Sequence, residues 1–149
     1  FARGTPAVDA RHVYVTWSSP KESLVLALDH AGQEQWRADL GAFKSGHGAG
    51  VSLIVHDGDV IVGDDHEGDS AITAVECDSG AMRWRVPRKT KVAYSTPCVY
   101  QRPGGAADLI FTNWEHGIMG IDPQTGRTNW EQQVFDQAHV EALHALSAA

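Results

Sequence analysis

Three histidines fall in short glycine-rich or acidic stretches: His47 in SGHGAG, His66 in GDDHEGDS and His116 in NWEHG. Asp64, Asp65 and Glu67 flank the second, and Glu115 precedes the third. Imidazole with carboxylate is a donor set for a divalent cation. Lys44, Arg88, Lys89 and Lys91 lie in the same kind of stretch and offer different chemistry, a seat for an anionic ligand. Glycines around His47 let backbone approach a ligand closely. Trp114, next to Glu115, is either a stacking platform or a packed edge residue. No element carries ligands at a metal spacing such as HExxH. A site made of His47, Asp65, His66, Trp114, Glu115 and His116 must therefore be assembled by the fold, and ordinary solvated loops are the plain alternative.

The elements that would assemble it repeat. VLALDHAGQEQW (residues 25–36), ITAVECDSGAMRW (72–84) and GIMGIDPQTGRTNW (117–130) share one plan. An alternating apolar strand ends near an acid (Asp29, Glu76, Asp122), a glycine follows (Gly32, Gly80, Gly126), and a tryptophan stands four residues beyond it (Trp36, Trp84, Trp130). The tryptophans are 48 and then 46 residues apart, close to the spacing of about 40–50 residues seen in propeller blades. Two more short strands precede each motif: 5–8 and 12–17, 51–55 and 60–63, 96–100 and 109–113. Turn-like links such as HDGD and QRPGGAAD join them. Each unit thus predicts a four-stranded antiparallel meander, with blades at about 4–40, 49–87 and 94–134 in one segment, 1–134. A single sheet cannot bury either of its faces, and radial stacking of sheets solves that. The three tryptophans are expected to be structural, each lying across the gap to the next sheet.

The pattern A-x-D-x-x-T-G-x-x-x-W resembles the repeat of PQQ-like β-propellers, the group that holds quinoprotein dehydrogenases and BamB-type assembly lipoproteins. GIDPQTGRTNW matches it best; AVECDSGAMRW substitutes Glu76 and Ser79, and ALDHAGQEQW is one residue shorter. The resemblance implies an all-β propeller and, by family habit, a place outside the cytoplasm. Its enzyme branch implies pyrroloquinoline quinone (PQQ) and Ca²⁺ on the propeller axis. This chain lacks the adjacent cysteine pair of many alcohol-oxidising members; Cys77 and Cys98 stand apart. The leading expectation is a non-catalytic binding or scaffold module. A fragment or relative of a PQQ-dependent oxidoreductase is one alternative, and a metal- or sugar-binding propeller is the other.

Meander geometry sorts the loops. A–B and C–D turns share one face; B–C and D–A links share the other, and all the candidate ligand residues fall on that second face. Closed rings typically have about four to eight blades, so three leave two apolar faces to cover. Either further blades cover them, or copies associate head to tail, with a six-bladed dimer favoured. The segment 135–149, DQAHVEALHALSAA and the residue before it, breaks the strand pattern and predicts a short helix or tail, ordered only if it docks. Among 149 residues, 42% are hydrophobic and the net charge is −7. An acidic chain argues against nucleic acid as a partner, and no apolar run is long enough to span a membrane.

Overall fold

A computed structural model describes residues 4–46, 50 and 52–135. Three four-stranded sheets follow one another along the chain, each an antiparallel meander in sequence order. Blade 1 comprises β1 (Ala7–Val8), β2 (His12–Ser19), β3 (Glu22–Asp29) and β4 (Glu34–Gly41). Blade 2 comprises β5 (Ile54–His56), β6 (Asp59–Asp64), β7 (Ala71–Glu76) and β8 (Met82–Pro87). Blade 3 comprises β9 (Cys98–Gln101), β10 (Ala107–Asn113), β11 (Gly117–Ile121) and β12 (Thr128–Gln132). The architecture is all-β, and the described residues contain no helix. The expected C-terminal helix lies, from residue 136 on, outside the described residues.

The first strand of each blade is shorter or later than the residue pattern suggests. Pro6 and Pro97 stand just before β1 and β9, and a proline has no N–H to give to a ladder. The second strands run longer than expected, because β6 starts at Asp59 and β10 at Ala107. The inter-sheet strand pair in closest contact is β1 with β5, so these two sheets converge at their first strands.

Alternation along the strands sends one set of side chains to each neighbour. Tyr14, Val25, Ala27 and Leu40 of blade 1 meet Val60, Val62, Val75 and Cys77 of blade 2 in one core. Ile61, Ile72, Ala74 and Trp84 of blade 2 meet Leu109, Phe111, Met119 and Ile121 of blade 3 in a second. Blade 2 is thus buried on both faces, and all six residues of β6 are buried.

Each core is closed by one tryptophan. Trp36 and Trp84 donate their indole N–H groups to the carbonyls of Cys77 and Pro123, at 2.9 Å in both cases. These carbonyls belong to the C–D turn of the following blade. Under the rings lie Gly80 (φ +69°) and Gly126 (φ +72°), where a Cβ would come within 2.5 Å of Trp36 and 2.7 Å of Trp84. The glycine therefore serves twice, for a left-handed turn and for close approach. Opposite each tryptophan on its own blade is a small residue, Ala27, Ala74 or Gly120, and the strand register shifts at each of these pairs.

Candidate functional site

The B–C and D–A links share one face, and the buried part of that face is polar. β6 ends at Asp64, and the next two residues, Asp65 and His66, are as buried as the core. Asp65 is held by Arg88, which follows β8: Arg88 Nε donates to Oδ1 at 3.1 Å and a terminal guanidinium nitrogen donates to Oδ2. Asn113, at the end of β10, donates to the same Oδ2 at 3.1 Å. Arg88 and Asp65 are each only 3% exposed at the side chain, so this ion pair and its amide lock blade 2 to blade 3. Arg88, grouped by sequence with the lysines of an anion seat, is consumed by the fold.

Asp64 does the corresponding work towards blade 1. Its Oδ1 accepts the Ser23 hydroxyl at 3.1 Å, and Ser23 lies 3.2 Å from Ser18. Its Oδ2 is 3.8 Å from His66 Nε2. Burial raises the Asp64 carboxyl above the ordinary carboxylate range, with His66, Ser23 and Arg85 opposing the rise. His66 Nδ1 accepts the backbone N–H of Gly68 at 2.9 Å and of Lys44 at 3.3 Å. An accepting Nδ1 places the proton on Nε2, facing Asp64. The Phe43 ring packs on the imidazole, with centroids 4.9 Å apart.

Trp114, Glu115 and His116 lie together in the turn between β10 and β11. They line an open cleft of about 640 Å³, with Glu67, Lys89 and Lys91 among its other walls. Glu115 accepts the Lys91 backbone N–H at 3.0 Å, and Asn113 Oδ1 accepts the Glu115 N–H at 2.8 Å. His116 Nε2 donates to the Lys89 carbonyl at 3.0 Å, and its Nδ1 stands 3.1 Å from a Glu131 oxygen. The turn is thereby clamped to the 87–95 link, whose lysine side chains are exposed. The candidate residues thus divide. Trp114, Glu115 and His116 gather in the cleft, Asp65 and His66 are locked beneath the surface, and His47 lies outside the described residues. Trp36 and Trp84 close the cores, while Trp130, on the outer side of blade 3, is 40% exposed.

Sequence reasoning missed Asn113, Ser23 and the structural use of Arg88. The one available signal was polar residues at strand ends, Asn113 and Asp64, where a meander turns towards its neighbours. Cys77 and Cys98 are both free thiols, the first buried and the second exposed.

Calcium takes about six to eight oxygen ligands. The acids beneath this face do not fit that demand. Both Asp65 oxygens are occupied and a guanidinium sits beside them, while Asp64 Oδ1 accepts from Ser23 and only its Oδ2, 3.8 Å from His66 Nε2, lacks a hydrogen-bond partner among the described residues, which leaves one oxygen where about six to eight are needed. Among the described residues, no three His, Cys, Asp or Glu side chains are grouped to hold a metal ion, nor is any helix long and apolar enough to cross a membrane.

The sequence profile of a family described as outer membrane protein assembly factor BamB matches residues 1–148. Among solved structures, BamB from Moraxella catarrhalis superposes with a TM-score of 0.63 at 18% identity, over 89% of this chain and 38% of that one. A europium-containing methanol dehydrogenase gives 0.59 at 18% identity, over 88% and 25%. A quinohemoprotein alcohol dehydrogenase from Comamonas testosteroni gives 0.56 at 20% identity, over 88% and 27%. This chain therefore spans well under half the length of each. No curated protein resembles it closely enough in sequence to be counted a relative.

Proposed function

We propose that this chain, which belongs to the family of the outer membrane protein assembly factor BamB, is a blade segment of a non-catalytic propeller that binds a protein partner through its B–C/D–A face. The observation that carries this reading is how that face is divided. Its buried acids and His66 are spent on locking blades together, while the open cleft at Trp114 keeps an aromatic wall and mixed charge at its rim. An aromatic flanked by polar groups at a rim is the make-up of a protein-recognition patch. Its place is outside the cytoplasm, a reading supported by the outer-membrane role in the family description. In the working protein the end blades are covered, by further blades or by another copy.

Site-specific photocrosslinking in a Gram-negative envelope tests the assignment. A photoreactive residue at Glu115 is expected to give a discrete protein adduct, and one at Gln124, on the opposite face, none. Adducts only from position 124, or from neither, overturn it. Purified protein mixed with PQQ and Ca²⁺ is expected to leave the quinone absorbance unchanged and to reduce no dye with a primary alcohol. Quinone uptake with dye reduction would replace this reading with an oxidoreductase.

A further inference from the structure

The turn that carries Trp114, Glu115 and His116 is held from two sides. It closes on Gly117 at φ +75°, so near β12 that a Cβ there would strike the Gln132 carbonyl. Gln133, just beyond β12, donates from its side-chain amide to the Trp114 carbonyl at 3.3 Å. On the other side the Lys91 N–H reaches Glu115 at 3.0 Å, and His116 Nε2 donates to the Lys89 carbonyl at 3.0 Å. A neutral His116 with its proton on Nε2 makes all of these ties.

The remaining tie is different. His116 Nδ1 lies 3.1 Å from Glu131 Oε1, on β12. Both ring nitrogens therefore face oxygen acceptors. A neutral imidazole carries one N–H, and with that proton given to Lys89 the Nδ1 lone pair meets a carboxylate. The other tautomer serves Glu131 and abandons Lys89. Only the imidazolium, a donor at both nitrogens, makes both bonds, and the one to Glu131 is then charge-assisted. The His116 and Glu131 side chains are 28% and 42% exposed, so protons reach them and solvent screens the pair. The other charged groups around the cleft pull both ways. Lys89 and Lys91 of the 87–95 link oppose a charge on the ring, while Glu67 of the β6–β7 link and Glu115 of the turn favour it.

We infer that His116 is a proton-operated clamp on the cleft. Charged, it ties the Trp114 turn to β12 and to the 87–95 link at once; neutral, it holds one of the two. The bond to Glu131 is present while the ring is charged and is lost as pH rises through the imidazole range, about pH 5–8. The clamp lies wholly within blade 3 and the link that leads into it. Resting on the reading of this cleft as a partner site, capture is stronger on the acid side, because a wall fixed beforehand needs less ordering on binding.

Hydrogen exchange of the Lys91 and Glu115 amides in the full chain reads the clamp directly. Protection relative to the intrinsic rate is expected to fall about two- to five-fold from about pH 6 to about pH 8, the scale of a part-exposed ion pair. Glu131→Gln supplies an amide that donates to a neutral Nδ1, so its protection is expected to be the same at both values. His116→Gln removes the titrating ring and is expected to flatten the dependence as well; circular dichroism checks that each variant is folded. Wild-type protection that does not change with pH, or a change that survives in both variants, overturns the inference. The partner arm uses a photoreactive residue at Lys91, whose N–H still meets Glu115, in the same Gram-negative envelope at the two pH values. Its adduct is expected to be stronger at the lower pH by the same factor, and equal adducts overturn the gating. No adduct at either pH, with the protection pattern as expected, removes the partner reading and leaves the clamp.

Discussion

Trp84 and Trp130 occupy the same place in consecutive blades, and their surroundings differ. Trp84 is 8% exposed, bonded to Pro123 and resting on Gly126; Trp130 is 40% exposed and bonded to Asp108 of its own sheet. Motif, strand and small residue beneath the ring are shared. The difference is the neighbour. A repeat residue thus carries a stabilising capacity that only the next blade converts into burial, as expected where stability comes from interfaces between units.

The widest gap between the two sites is expected on truncation. Trp84→Ala should destabilise by about 3–5 kcal/mol, the usual cost for a large buried aromatic. Trp130→Ala should cost about 1 kcal/mol, within the range of surface changes that lose one hydrogen bond. Urea unfolding of both variants checks this, and equal losses would break the comparison. Next comes the polar half of the same joint. Arg88→Met leaves Asp65 buried beside Asn113 alone, at a cost of about 3–5 kcal/mol. The double variant Arg88→Met, Asp65→Leu should recover much of that, because the unpaired charge is gone; thermal melts of the single and double variants measure it.

The glycines sharpen the comparison from the receiving side. Gly126→Ala meets both a left-handed backbone and the Trp84 ring, so strain and overpacking add to about 2–4 kcal/mol. Gly32→Ala has open space around it and should cost only the backbone term, about 1 kcal/mol. If the two cost the same in urea unfolding, the ring contact at Gly126 adds nothing.

The smallest effect is one of pH. The folded chain holds the Asp64 proton to higher pH than the unfolded chain does, so this group's contribution favours folding below the unfolded carboxyl pKa. That contribution is lost as pH rises through the folded value. Asp64→Asn should flatten that decline and leave neutral-pH stability equal to or above wild type. Unfolding curves across the acid range test the sign, and a variant whose stability falls more steeply with pH contradicts it.

The recurrence of acid, glycine and tryptophan, with alternating strands before it, was enough to specify three meanders, their order and the two loop faces. Such information is local: strand period, turn chemistry and spacing act over a few residues, and repetition amplifies them. The same letters also marked Trp36, Trp84 and Trp130 as joint residues, without distinguishing the covered from the uncovered. The use of the polar residues is different. Asp65 pairs with Arg88, 23 positions away, and with Asn113, 48 away, and Asp64 reaches back 41 positions to Ser23. None of these separations follows from the repeat, because they depend on how one twisted sheet lies on the next. Sequence by itself therefore determined the blades and the faces. Only the tertiary structure decided that Asp65 and His66 are mortar between blades while Trp114, Glu115 and His116 remain at the surface. The cost of an unpaired buried charge permits just the pairings that stacking brings into reach.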